Sequence, residues 1–144
     1  MKQLTHGSLS TGIGGFDIGA AANGIRTKWT CEIDPLRRDI LKFYHPKAKH
    51  YADMRKLRKP PYVDIISFGF PCQDISQANP KGKGLAGSKS GLWYEGWRII
   101  RAVRPGYIII ENSPNLIHKG LEQIANSVPK YQNTVLCRHH YLIT

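Results

Sequence analysis

Cysteine is scarce in this chain of 144 residues, which has only Cys31, Cys72 and Cys137. The three are far apart, their number is odd and none forms a C-x-x-C pair, so the sequence disfavours a disulfide framework and a cysteine-only zinc site. We predict no metal site. Long apolar runs are also missing, because no segment could cross a bilayer and the first residues lack the apolar centre of a signal peptide. These absences favour a cytoplasmic protein.

Acidic residues are few as well, 10 against 21 lysines and arginines, which gives a net charge of +11. This excess favours an anionic partner, with nucleic acid the first candidate, although solubility alone would explain the same charge. A hydrophobic content of 41% with 22% charged residues is typical of a globular protein. The length suits one domain, so we treat residues 1–144 as a single domain.

Short apolar runs alternate with helix-like stretches along the chain. This alternation predicts an α/β fold with a Rossmann-like, doubly wound and mostly parallel sheet. The predicted strands cover residues 4–9, 28–33, 48–51, 63–68 and 107–110, and the predicted helices cover 16–22, 35–44, 91–103 and 115–127. The tail from Thr134 to Thr144 is predicted to be one last strand.

A glycine-rich turn, Gly12 to Gly15, follows the first predicted strand. Such a turn lets the backbone approach a nucleotide-like ligand closely. The dinucleotide fingerprint G-x-G-x-x-G fails, because Asp17 stands at the third glycine position, and this disfavours a nicotinamide oxidoreductase. Glu32 stands 20 positions after Gly12 and Asp53 closes the next strand, so both carboxylates could serve a ligand at strand ends. The alternative is that the glycines only allow a tight turn and that Glu32 is solvated, with no ligand bound.

Two reactive side chains follow the two clearest strands. Cys72 stands directly after Pro71, beyond the run 63–68, and Glu111 follows Ile108–Ile110. Ligands of open α/β sheets bind outside the carboxyl ends of the strands, so these two side chains could converge on one crevice. A buried inert thiol is the usual state of a free cysteine, and Cys31, in an apolar strand, fits that description. Polar neighbours favour a reactive Cys72.

Six segments occur in order, LSTGIGGFD, CEID, YADM, GFPCQDIS, SGLWYEGWRIIRAVRP and IIIENSPNL. Together they resemble the S-adenosylmethionine-dependent DNA cytosine-5 methyltransferases, especially those of phages and restriction-modification systems. The resemblance covers roughly residues 9–116. It implies double-stranded DNA as the partner, S-adenosylmethionine as the cofactor and Cys72 as the nucleophile that attacks carbon 6 of a flipped-out cytosine. It further implies that Glu111 meets the developing charge at ring nitrogen 3.

The resemblance also implies two sets of binding residues. The cofactor set is Gly12, Gly14, Gly15, Glu32, Ile33, Asp53, Met54 and Pro71. The DNA set is Gln73, Ser76, Lys81, Lys83 and Lys89, within a loop whose glycines would permit hinge motion and whose lysines could contact phosphates.

The chain departs from the family pattern in three places. Ser10 stands where an aromatic residue is usual, Lys89 stands where arginine is common, and no Q-x-R-x-R segment is visible around Arg138. We expect no target-recognition lobe within these 144 residues. We therefore expect the N-terminal portion of a catalytic domain, with the missing part on a longer chain or a second subunit, and weak or no activity alone. A non-catalytic nucleic-acid-binding remnant and an RNA cytosine-5 methyltransferase remain the alternatives.

Overall fold

The computed structural model describes residues 2–70, 92–112, 134–138 and 141–143. Within them lie seven strands and three helices. The strands are β1 (Thr5–Leu9), β2 (Arg26–Cys31), β3 (Lys49–Tyr51), β4 (Ile65–Gly69), β5 (Tyr107–Glu111), β6 (Thr134–Arg138) and β7 (Tyr141–Ile143). The helices are α1 (Gly15–Ala22), α2 (Pro35–Tyr44) and α3 (Leu92–Val103). None of the described helices is long and apolar enough to span a membrane.

The strands form one sheet in the order β3-β2-β1-β4-β5-β6-β7. Strands β1 to β6 are parallel, and β7 runs antiparallel to β6. The chain moves outward from β1 to β3, returns to β4 beside β1 and then moves outward on the other side. The predicted doubly wound α/β fold is confirmed. Its switch point lies between β1 and β4, where such sheets bind their ligands.

Strand β1 has an unpromising sequence, yet all five of its residues are buried. Gly7 lies directly under the ring of Trp29, where a Cβ atom would overlap the indole. His6 Nε2 lies 2.9 Å from the hydroxyl oxygen of Ser67 on β4, so this polar side chain is satisfied inside the core. The strand can therefore occupy the middle of the sheet because its small and polar residues pack against, and form hydrogen bonds with, residues of β2 and β4. Intrinsic strand propensity does not include these contacts.

Several predicted strand boundaries differ from the observed ones by one or two residues; β4, for example, begins at Ile65, not at residue 63. Strand β2 ends at Cys31, not at residue 33, because the Glu32 carboxylate accepts a hydrogen bond from the Asp34 N–H and the chain turns there toward α2. The tail forms two strands instead of one, since β7 reverses direction to pair with β6. The helix predicted over 115–127 lies outside the described residues.

Helix α2 begins as predicted. The Asp34 carboxylate accepts hydrogen bonds from the backbone N–H groups of Leu36 and Arg37, at 2.9 and 3.2 Å, and Pro35 occupies the first turn. Leu41 is its one buried side chain. The stripe formed by Leu36, Ile40 and Phe43 faces outward and is exposed.

Helix α3 packs through an aromatic cluster. Trp93 stacks on Phe68 of β4 and on Trp97, with ring centroids 6.0 and 5.8 Å apart, and its ring also lies 5.5 Å from Phe70. Such pairs add to the free energy gained by burying the rings. The cluster fixes α3 against the end of β4, and so against the residue that precedes Pro71.

Candidate functional site

The glycine turn after β1 is held by left-handed backbone conformations. Gly12 has φ 61° and Gly14, the N-cap of α1, has φ 93°, values that suit glycine better than other residues. The Gly12 N–H donates a 2.7 Å hydrogen bond to Oε2 of Glu32, at the end of β2. A Cβ atom on Gly12 or Gly15 would meet nothing within 4 Å, so the space in front of the turn is open.

Asp17, which breaks the dinucleotide fingerprint, has a structural role. Its carboxylate is fully buried and accepts hydrogen bonds from the hydroxyls of Ser8, at 3.0 and 3.2 Å, and Thr27, at 3.1 Å. His6 Nδ1 lies 3.4 Å from the same carboxylate. The third glycine is replaced by a buried acid that fastens α1 to β1 and β2.

Two carboxylates lie at the ends of β2 and β3. Glu32 is only 5% exposed, and its Oε1 accepts the Asp34 N–H at 3.0 Å. Asp53 is bound by Arg55, whose hydrogen bonds lower the pKa of Asp53. Burial raises the pKa of the Cys31 thiol to about 12, and the nearby charges of Asp53 and Glu32 add to this effect. Both carboxylates therefore lie near the Cys31 thiol. The predicted burial of Cys31 is confirmed.

The remaining described members of the cofactor set differ in exposure. The Ile33 side chain, directly after Glu32, is 63% exposed, which is unusual for isoleucine and leaves an apolar surface beside a buried carboxylate. The Met54 side chain is 6% exposed and belongs to the core. An open glycine turn, a carboxylate with unused lone pairs and an apolar side chain fit an adenosine-containing cofactor.

Glu111 ends β5 in register with Gly69, which ends β4. A Cβ atom on Gly69 would lie 3.2 Å from Oε2 of Glu111 and 4.0 Å from the ring of Phe16 on α1. The carboxylate therefore lies over the glycine backbone, on the side of the crevice that α1 borders. The Glu111 side chain is exposed to solvent.

Asn112, which was not among the predicted site residues, also lies at this edge of the sheet. Its side-chain amide donates a 2.8 Å hydrogen bond to the carbonyl of Phe70, and it is 8% exposed. Phe70 stands two positions before Cys72. The position of an asparagine directly after a strand could have indicated a role at this edge of the sheet. Its hydrogen-bond partner could not be predicted, because that depends on the register between β4 and β5.

The other predicted site residues lie outside the described residues. They are Pro71, Cys72, Gln73, Ser76, Lys81, Lys83 and Lys89. Their roles stay predictions, as do those of Glu111 and of the cofactor set. Within the part of the chain that is described, no group of three or more His, Cys, Asp or Glu side chains could hold a metal ion.

Comparisons with known proteins agree with this architecture. The type II methyltransferase M2.BsuMI of Bacillus subtilis (strain 168) is 40% identical over 114 residues, which are 76% of this chain and 29% of that protein. A DNA N-6-adenine-methyltransferase of Escherichia phage P1 is 29% identical over 132 residues, 81% of this chain and 17% of the phage protein.

A solved structure shares the fold. It is that of a protein assigned as a DNA modification methyltransferase encoded within an E. coli prophage, with a TM-score of 0.70 at 23% identity. The similarity covers 88% of this chain and 37% of that one. The chain thus spans well under half the length of each of these proteins. The family model for C-5 cytosine-specific DNA methylases matches residues 4–135. The chain belongs to the C-5 cytosine-specific DNA methylase family.

Proposed function

We propose that this chain is the cofactor-binding and nucleophile-bearing part of a DNA cytosine-5 methyltransferase. The reaction would transfer a methyl group from S-adenosylmethionine to carbon 5 of a flipped-out cytosine in double-stranded DNA. One observation carries the proposal. The end of β4, which leads into Pro71 and Cys72, is bound by Asn112 and lies beside the carboxylate of Glu111. The named type II methyltransferase among the relatives favours a restriction-modification setting.

The cofactor would be held at the switch point. Glu32 uses one lone pair on each carboxylate oxygen for a backbone N–H, which leaves further lone pairs for ribose hydroxyls. Ile33 offers an apolar surface, and Asp53 offers a second acceptor. S-adenosylmethionine, when bound, supplies an electrophilic methyl group to carbon 5.

The chain's own residues would activate the base. The Cys72 thiolate adds to carbon 6, forming a carbon–sulfur bond, and the electron pair of the 5,6 double bond moves into the ring. The Glu111 carboxyl holds a proton at ring nitrogen 3, which neutralises the charge that develops there. After the methyl group has been transferred to carbon 5, a solvent base removes the proton from that carbon, and the electron pair of the carbon–hydrogen bond re-forms the 5,6 double bond. The carbon–sulfur bond then breaks, Cys72 leaves as a thiolate and the proton on ring nitrogen 3 returns to the Glu111 carboxylate. Exclusion of water by the bound DNA strengthens each of these interactions.

A mechanism-based trap tests this proposal. A duplex with 5-fluorocytosine retains the carbon–sulfur bond, because fluorine cannot leave as a proton does. We expect a covalent adduct of the wild-type chain in the presence of S-adenosylmethionine, mapped to Cys72 by mass spectrometry. Cys72→Ser should abolish the adduct, Cys31→Ser should leave it unchanged and Glu111→Gln should slow it. An adduct at another cysteine would refute the proposal, as would duplex binding without any adduct when the target-recognition part of a relative is also supplied.

Separate measurements identify the nucleic acid that accepts the methyl group and test whether this chain is active alone. Tritium transfer from labelled cofactor, with this polypeptide as sole protein, should be weak or undetectable on duplex DNA if further parts of the enzyme are required. Addition of the target-recognition part of a relative should then raise it. Transfer to tRNA but not to DNA would reassign the substrate to RNA.

A further inference from the structure

Arg98 on α3 connects that helix to the turn that follows β3. Its Nη2 donates hydrogen bonds to the carbonyls of Met54 and Leu57, both at 3.0 Å, and Nη1 donates to the carbonyl of Arg58 at 3.4 Å. Nε donates to Glu95 at 3.0 Å, so the guanidinium is also held from its own helix. One side chain thereby satisfies three backbone acceptors of a single turn.

That turn carries one of the two acids at the crevice. Asp53 is the residue before Met54, and its side chain is only 17% exposed. Backbone hydrogen bonds from Lys56 to Asp53 and from Leu57 to Met54 give the turn its shape. Arg55 lowers the pKa of Asp53, so the acid is an ionised acceptor at neutral pH. The position of this carboxylate therefore depends on the conformation of residues 53–58.

We propose that Arg98 is a positioning residue for cofactor binding, which holds the 53–58 turn so that the Asp53 carboxylate stays at the cofactor crevice. Arg98 does not itself touch the cofactor in this proposal. The inference rests on the proposed function, since it assumes that S-adenosylmethionine binds at the carboxyl ends of β1 to β3.

The chemistry of the contact requires arginine. A guanidinium presents five N–H donors in a rigid plane and can reach three carbonyls and a carboxylate at once. A lysine ammonium is a compact charge on a flexible stem, so it can replace only part of this set. Loss of hydrogen bonds to a charged donor leaves the carbonyls to solvent and frees the turn.

Calorimetric titration with S-adenosylhomocysteine measures the effect without requiring turnover. We expect Arg98→Met to weaken binding about tenfold, the loss that corresponds to one charged hydrogen bond. Arg98→Lys should fall between this variant and wild type. Arg101→Met removes an exposed arginine from the same helix, three positions later, and should bind like wild type.

A double-mutant cycle separates positioning from general destabilisation. If Arg98 acts through Asp53, then Arg98→Met should weaken binding by less than about twofold in an Asp53→Ala background, because the two changes remove the same interaction. If Arg98→Met acted only by destabilising the fold, its fold-loss in affinity would be the same in the Asp53→Ala background as in the wild type. Equal affinities of Arg98→Met and wild type, or fully multiplicative losses, would overturn the inference.

The outcomes are distinct from those of the covalent trap. Failure of the wild-type chain to bind S-adenosylhomocysteine would reject the proposed cofactor site and this inference with it. Normal binding by the wild type and by Arg98→Met would reject only the role of Arg98. Should Arg98→Met not fold, as judged by its circular dichroism, Arg98→Lys decides: wild-type affinity overturns the inference and intermediate affinity supports it.

Discussion

The amide nitrogen of Asn112 lies 2.8 Å from the carbonyl oxygen of Phe70, and this bond joins the ends of two neighbouring parallel strands. Phe70 is also packed against Trp93, so the residue is held by its backbone and by its ring. The start of the segment that bears Cys72 is therefore fixed on two sides. In the proposed mechanism this reduces the entropy lost when the thiolate reaches carbon 6.

Replacement of Asn112 should slow adduct formation. Asn112→Ala leaves the Phe70 carbonyl without this donor, which we expect to cost about 1–3 kcal/mol of folding stability and to slow trapping by 5-fluorocytosine at least tenfold. The matched control is Asn23→Ala, since Asn23 also donates from its side chain to a carbonyl, that of Gly19, at an exposed helix end. Gel-shift time courses compare the two. An unchanged rate in Asn112→Ala would show that this hydrogen bond does not position Cys72.

A methyl group on Gly69 should disturb Glu111. The new Cβ would lie 3.2 Å from Oε2 of Glu111, which is closer than an ordinary contact, so the carboxylate must move. We expect Gly69→Ala to slow adduct formation while the free energy of unfolding changes little. Gly19→Ala serves as the control, because its Cβ meets nothing within 4 Å. That helical change should stabilise the fold by about 0.5–1 kcal/mol.

Asp64 should make the stability depend on acid pH. Its carboxylate accepts hydrogen bonds from the backbone N–H and the hydroxyl of Thr5, at 2.8 and 2.6 Å, and these lower its pKa. A lowered pKa in the folded state means stability that is fully present above the unfolded value, about 3.9 for aspartate, and lost as the pH falls through the folded value. Asp64→Asn should therefore lose stability at pH 7, and its difference from wild type should vanish in strong acid.

Urea unfolding at several pH values measures this difference. Asp39→Asn is the control, because Asp39 is exposed and pairs with Lys42 on the surface of α2. That variant should change stability little at any pH, because water and salt screen an exposed ion pair. A pH-independent deficit in Asp64→Asn would contradict the assignment of acid sensitivity to Asp64.

Cys31 should resist thiol reagents in the folded protein. Burial and the nearby carboxylates raise the pKa of the Cys31 thiol to about 12, so almost no thiolate exists at pH 8. Brief treatment with iodoacetamide, followed by peptide mass spectrometry, should show Cys31 unmodified until urea unfolds the chain. Cys72, the proposed nucleophile, should react in the folded state. Rapid modification of Cys31 under native conditions would contradict its burial.

The sequence predicted a doubly wound, mostly parallel sheet because buried parallel strands are continuous apolar runs, as in Ile108–Ile110 and the run before Phe68. It also predicted that Glu32 and Asp53 would follow strand ends, but it did not predict the hydrogen bond between the Gly12 N–H and Glu32. The contact between Asn112 and Phe70 depends on residue-level strand register, and that of Arg98 with the 53–58 turn depends on how α3 docks. Neither contact produces a repeating pattern of residues that could be recognised in the sequence. The role of Asp17 was hidden for the same reason, because its hydroxyl donors are on β1 and β2.

Helix α2 has few buried contacts, so we expect it to unfold locally before the centre of the sheet does. Leu41 is its one buried side chain, and the outward stripe of Leu36, Ile40 and Phe43 gains little from staying folded. Its first turn is fastened through Asp34 to the Glu32 carboxylate, whereas its last turn ends at an exposed Tyr44. Deuterium uptake should therefore begin at the Tyr44 end and reach Leu36 later, well before β1 and β4 exchange.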